Sequence, residues 1–87
     1  MPNIIWTPTA WEEYLAWQTE DKKTLKRIND LIKDIRRNGL SKGKGKPEPL
    51  RHLPAWSRRI DDMNRLIYSE DADKNVLVYA CRGHYKD

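Results

Sequence analysis

The order of apolar patterns along the chain predicts an α+β fold: an N-terminal strand, a two-helix hairpin, then an antiparallel three-stranded meander, with both helices on one face of the sheet. Three observations lead there. A short β-favouring run opens the chain, two stretches then repeat apolar residues at helical spacing, and the last third holds three β-rich runs separated by Asp/Asn turns. The run Asn3-Ile4-Ile5-Trp6 is the first strand, and it stops at Thr7-Pro8, an N-cap followed by proline at the first helical position. From Pro8 to about Thr19, Trp11, Tyr14, Leu15 and Gln18 fall at i, i+3, i+4 and i+7, an aromatic stripe expected to pack on the sheet. Asp21 caps the second helix, where Leu25, Ile28, Leu31, Ile32 and Ile35 repeat until Asn38-Gly39 supplies a left-handed stop.

Beyond that stop, Gly43 and Gly45 alternate with Lys42, Lys44 and Lys46, which reads as a mobile basic loop ending in the stiff Pro47-Glu48-Pro49. The runs Trp56–Ile60, Arg65–Ser69 and Val76–Cys81 are the meander, divided by turns at Asp61-Asp62-Met63-Asn64 and Asp71-Ala72-Asp73-Lys74. Period-two alternation places Arg65 with Ile67 and Ser57 with Arg59, opposite Leu66, Tyr68, Trp56 and Arg58. With helices on one face only, Arg59 and Arg65 are expected to share the free face across a short hairpin.

Eighty-seven residues make one domain, residues 1–87, and the four Trp and four Tyr argue for a packed core over disorder. Apolar runs are far too short to cross a bilayer, and the start of the chain is unlike a signal peptide, so a cytoplasmic protein with no membrane partner is expected. Cys81 is the single cysteine; an internal disulfide is excluded, and no His/Cys spacing suggests a metal or cofactor site. Its apolar strand makes Cys81 a core residue more readily than a reactive thiol. Net charge is +4, but residues 36–65 carry 9 basic against 3 acidic side chains, while each flank is net −1. A concentration of this kind suits a polyanion, because Lys and Arg displace counterions from nucleic-acid phosphates. Lys42, Lys44, Lys46, Arg51 and Arg58 are the cations expected to meet RNA. The lysine-glycine run lacks the order of a nucleotide-binding P-loop.

Cutting RNA without a metal needs a base for the ribose 2′-hydroxyl, an acid for the departing 5′-oxygen and cations for the crowded phosphorane. Glu48, braced by prolines, is the candidate base, against the plain alternative of an exposed loop glutamate. His84 is the candidate acid, since an imidazole exchanges protons near neutrality, and Tyr85 beside it offers a ring and a hydroxyl; the competing account is a frayed polar tail. Arg59 and Arg65 present forked donors for phosphate oxygens, or alternatively pair with Asp61 and Asp62. Trp6, Trp11 and Trp17 suit core or partner packing, Trp56 suits either core or nucleotide, and His52 suits a structural or contact role.

These residues carry a resemblance. Ile5-Trp6, the WEEYLAW run from Trp11, the KRINDLIKD run from Lys26, GKGKPEPL from Gly43, WSRRI from Trp56, NRLIY from Asn64 and CRGHY from Cys81 together resemble the YoeB/Txe toxins of bacterial toxin–antitoxin pairs, within the RelE/ParE superfamily. The likeness spans nearly the whole chain. It implies a ribosome-dependent endoribonuclease that cleaves mRNA in the ribosomal A site and stops translation. It implies Glu48 as general base, His84 as general acid, Arg65 as the main phosphorane stabiliser, Arg59 as an auxiliary cation and Tyr85 as a substrate contact. A YefM-type antitoxin, whose disordered C-terminal segment folds onto the toxin, and a toxin homodimer are implied as partners. Arg51 stands where the family often has lysine, Asn64 where histidine is common, and the His52–Trp56 connection is shorter than usual. Two alternatives stand beside this one: a ParE-like gyrase inhibitor, which needs no acid–base pair, and a non-catalytic nucleic-acid or ribosome-binding module.

Overall fold

The computed structural model describes residues 3–84. Its elements are β1 (Ile4–Trp6), α1 (Pro8–Glu20), α2 (Lys22–Asn38), β2 (Glu48–Pro49), β3 (Trp56–Arg59), β4 (Arg65–Glu70) and β5 (Val76–Ala80). The five strands form one mixed sheet in the order β1-β5-β4-β3-β2, antiparallel except that β1 runs parallel to β5. The two helices fill the crossover between β1 and the later strands, as a parallel pair requires. One strand goes beyond the sequence expectation: Glu48–Pro49, read as loop, pairs with β3 through Glu48↔Ser57 and Pro49↔Trp56. A proline lacks a ladder donor, so this segment can only serve as a short edge strand.

Local chemistry explains the helix ends. Thr7 Oγ1 accepts a hydrogen bond from the Ala10 amide at 3.1 Å, with Pro8 in the first turn. The Asp21 amide donates to Trp17 O and closes α1, while its carboxylate accepts from the Lys23 and Thr24 amides and from the Thr24 hydroxyl to open α2. The same bonds hold the exposed Asp21 carboxyl below its ordinary pKa, the Thr24 hydroxyl contributing most. Gly39, at φ +89°, ends α2 by donating to Ile35 O at 2.8 Å.

On α2 the expected stripe is the buried one: Ile28, Leu31, Ile32 and Ile35 are in the core, with Leu25 packed against it. The α1 stripe differs. Trp11 and Leu15 are exposed, and the buried positions are Ala10 and Trp17. Small Ala10 lets the helix approach the sheet so closely that the Cys81 thiol reaches Ala10 O, while Trp6, Trp11 and Tyr14 cluster at the margin. From the sheet, Leu66, Tyr68, Val76, Val78 and Cys81 complete the core, and Trp56 packs against it. Each buried aliphatic side chain contributes about 1.5–3 kcal/mol. Register sets the other face: Arg59 lies opposite Arg65 and Ser57 opposite Ile67, as alternation predicts. One extra residue in β5, Tyr79, sits between the pairs Tyr68↔Val78 and Ile67↔Ala80, and this bulge leaves it exposed with its hydroxyl 3.0 Å from Ser69 Oγ.

Candidate active site

The segment that carries Glu48 is organised around a buried cation. Alternation puts Arg58 on the helix side of β3, where it is 0% exposed. All five guanidinium donors are used: Nε on Tyr68 Oη, one terminal nitrogen on Asp34 Oδ2 and Lys44 O, the other on Gly39 O and Lys42 O. Tyr68 Oη in turn donates to Leu40 O at 2.6 Å, and Asp34 Oδ2 also accepts from the Lys44 amide at 2.9 Å. Two expectations are corrected here. Arg58 is not an RNA contact, because no donor is left for a phosphate and no surface is left for one to reach. Nor is the lysine-glycine segment an untethered loop: its carbonyls wrap one guanidinium, and the Arg59 amide donates to Gly45 O at 2.6 Å.

Glycine is required at two points of this wrap. At Gly43, φ +117°, an added Cβ would lie 1.9 Å from Asp34 Oδ2; at Gly45, φ +83°, it would meet Leu31 and the Arg59 carbonyl. The Asp34 carboxyl is held below its ordinary pKa. Burial alone would raise it, but the Lys44 amide, Arg58 and Asn38 more than offset that. Burial pushes the Tyr68 hydroxyl upward despite Arg58 beside it.

The tail approaches from the other side of the sheet order. Cys81 is fixed by α1, its amide donating to Glu13 Oε1 at 2.8 Å and its carbonyl accepting from Trp17 Nε1 at 3.0 Å. Arg82 pairs with Glu20 and lies 4.6 Å over the Trp17 ring. Gly83, at φ +83°, lies beside the start of β4, its carbonyl accepting from the Arg65 amide, and His84 follows with Nε2 3.3 Å from Asp62 O. A carbonyl can only accept, so in that bond Nε2 carries the hydrogen. Burial, with Glu13 adding to it, pushes the Cys81 thiol up to about 12, in keeping with a core cysteine.

These segments meet around a polar cavity of about 330 Å³, lined by Glu48, Arg65 and His84 together with Pro49, Leu50, Arg51 and Ser57. Thirty-six positions of chain separate the carboxylate from the imidazole. Arg59 is the cross-strand partner of Arg65 but is not among the lining residues, and is half-buried. Lys42, Lys44 and Lys46 are exposed outside the cavity; Lys44 instead borders a cleft with Asp30, Lys33, Asp34 and Arg37. Tyr85 lies outside the described residues. Ser57, opposite Glu48, is the lining residue that the sequence reading passed over; its place on the Arg59 face was the available signal. A larger recess of about 550 Å³ at Trp6, Thr7, Pro8, Trp11 and Glu12 holds no comparable acid–base set. Among the described residues no group of three or more His, Cys, Asp or Glu side chains could hold a metal ion, and no helix is long and apolar enough to cross a membrane. Chemically, the cavity brings a carboxylate, an imidazole and two guanidinium groups to the border of one polar space.

Comparison with known proteins gives a consistent picture. Residues 6–85 match the family described as YoeB-like toxin of bacterial type II toxin-antitoxin system. The chain is 50% identical over 85 residues to Toxin YoeB of Escherichia coli (strain K12), covering 95% of this chain and 99% of that one. The figures for Toxin YoeB of Streptomyces coelicolor are the same, 50% over 85 residues, 95% and 99%. The YoeB dimer from Staphylococcus aureus superposes with TM-score 0.90 at 44% identity, covering 97% of this chain and 98% of that chain. The YoeB-YefM complex from Staphylococcus aureus gives TM-score 0.90 at 41% identity, with 98% and 99% covered. A YafQ mutant from E. coli, at 16% identity and TM-score 0.73 over 97% and 94%, shares the fold.

Proposed function

We propose that this chain, which belongs to the YoeB-like toxins of bacterial type II toxin–antitoxin systems, is a ribosome-dependent endoribonuclease that cleaves mRNA in the ribosomal A site. The observation that carries this reading is the shared cavity: Glu48, His84 and Arg65 come from β2, the tail and β4 to line one polar space. Glu48 takes the proton of the ribose 2′-hydroxyl, whose oxygen attacks the adjacent phosphorus. Arg65, with Arg59 across the strand, offsets the charge that builds on the phosphorane. His84 protonates the departing 5′-oxygen, leaving a 2′,3′-cyclic phosphate on one fragment and a 5′-hydroxyl on the other. Neither step calls for a metal or a cofactor. Arg51 at the cavity and Lys42, Lys44 and Lys46 beside it contact mRNA and ribosomal RNA phosphates. Tyr85 supports the substrate next to His84.

The reading extends to partners and place. A YefM-type antitoxin neutralises the toxin by folding a disordered segment over the cavity, and two toxin copies pair, by analogy with the Staphylococcus aureus complex and dimer. Residues 1–87 act as one domain, in the cytoplasm, where ribosomes are. The alternative of a gyrase inhibitor leaves the carboxylate–imidazole pair without a purpose, and a non-catalytic binder does the same.

Purified protein is to be incubated with programmed ribosomes and the mRNA ends mapped. Wild type is expected to cleave in the A site, and Glu48→Ala and His84→Ala each to lose at least about 100-fold in rate while still binding ribosomes. Intact mRNA with wild-type protein would sink the nuclease reading, and gyrase-linked DNA breaks would favour the alternative.

A further inference from the structure

The turn between β3 and β4 does more than reverse the chain. Asp61 Oδ1 accepts from the Met63 and Asn64 amides, both at 2.8 Å, and the two carboxylate oxygens take the Asn64 side-chain Nδ2 at 3.1 and 3.2 Å. The same bonds hold the Asp61 carboxyl below its ordinary pKa, although its burial acts the other way. A carboxylate can only accept, so Nδ2 must face Asp61 and the amide oxygen must face away. That oxygen accepts from the Gly83 amide at 2.8 Å, 19 residues along the chain. The next residue completes a bracket, the Arg65 amide donating to Gly83 O at 3.0 Å.

Gly83 is therefore held through its N–H and its carbonyl to two consecutive residues, Asn64 and Arg65, and the second of these also lines the cavity. It needs φ +83° to reach them, and since nothing lies within 4 Å of an added Cβ, glycine is there for conformation and not for space. One residue later stands His84, whose Nε2 rests against Asp62 O in the same turn. Its other supports, at Cys81 and Arg82, lie two and more residues back.

We infer that Asn64 is a positioning residue for His84: its carboxamide, oriented by Asp61, sets where the imidazole stands relative to Arg65 and Glu48. This rests on the nuclease reading only for its effect on rate; the geometric clamp stands without it. The protein supplies its own control in Asn75, which closes the β4–β5 turn with its amide on Asp71 Oδ1 and its Nδ2 on Asp71 Oδ2, and uses its amide oxygen on the Asn3 amide, at the end of β4 away from Gly83.

The test measures cleavage of ribosome-bound mRNA at saturating and sub-saturating ribosome, together with NMR contacts between the His84 ring protons and the Asp62–Met63 backbone. Asn64→Ala is expected to lower the maximal rate about 10- to 100-fold with half-saturation moved less than about 2-fold, because a displaced acid loses rate and not binding. It should also lose the His84 ring contacts. Asn64→His is expected to recover the rate to within about 5-fold, since ring Nδ1 sits on the γ-carbon as the amide oxygen does and can accept from Gly83. Asn75→Ala should leave rate and ring contacts as in wild type. Ring contacts that persist in Asn64→Ala, or an equal loss of rate in Asn75→Ala, would overturn the inference. Intact mRNA with wild type, combined with ring contacts that vanish only in Asn64→Ala, would overturn the nuclease reading and leave the clamp standing.

Discussion

The two halves of the candidate site are held in different ways. Glu48 hangs from a segment wrapped around a guanidinium that is 0% exposed, whereas the His84 tail is fastened largely at the surface, its Arg82–Glu20 pair 43% and 49% exposed. A buried cation with every donor used behaves as one unit, since losing any partner strands a charge in the core. Surface bonds are nearly independent, each worth about 0.5–1.5 kcal/mol at most. A rigid carboxylate half thus faces an imidazole half that small changes can shift.

The strongest way to break that contrast is Arg58→Ala. It takes the ion-pair partner from Asp34, one bond from Tyr68 Oη and the guanidinium donors from the carbonyls of Gly39, Lys42 and Lys44, and should cost about 3–5 kcal/mol in urea unfolding. A loss under about 1 kcal/mol would mean that the loop holds itself without the guanidinium. Arg58→Lys should recover little, because an ammonium has three donors for a planar arrangement of five.

Next in size is Asp34→Asn, expected to cost about 1.5–3 kcal/mol near neutral pH. Because the folded-state pKa of Asp34 lies below its unfolded value, the carboxylate's stabilisation is fully present above about pH 4–5 and is lost as pH falls through the folded value. The stability gap between wild type and Asp34→Asn should therefore narrow on acidification, and a gap unchanged from pH 7 to pH 3 would contradict this assignment. At the small end, Arg82→Ala should cost about 1 kcal/mol, the solvent-screened pair and the contact with the Trp17 face taken together. A cost matching that of Arg58→Ala would erase the difference between the halves.

Much of this was legible in the chain. Asp21 and Gly39 announced both ends of α2, and the β3 and β4 alternation correctly put Arg59 and Arg65 opposite one another. The same alternation already assigned Arg58 to the helix side with Trp56; counting it among RNA contacts followed charge where the period pointed inward. For α1 the large aromatic residues drew attention to Trp11, while close helix–sheet packing selected small Ala10 instead. β2 was not legible, since two residues with a proline make no pattern until β3 lies alongside. Nor was the Asn64–Gly83 bond: the Asp61 turn was plain, but the free end of the carboxamide finds its partner only through the fold.

The amino-acid order by itself determined which segments become helices and strands, where they stop and which side chains alternate, because periodicity, capping and turn chemistry act over a few neighbouring residues. Only the tertiary structure decided which arginine is sealed inside, which carbonyls it gathers, and that Glu48 and His84 border one cavity. Those outcomes depend on desolvation and on bonds between residues far apart in the chain, and such terms have no value until distant segments are brought into contact.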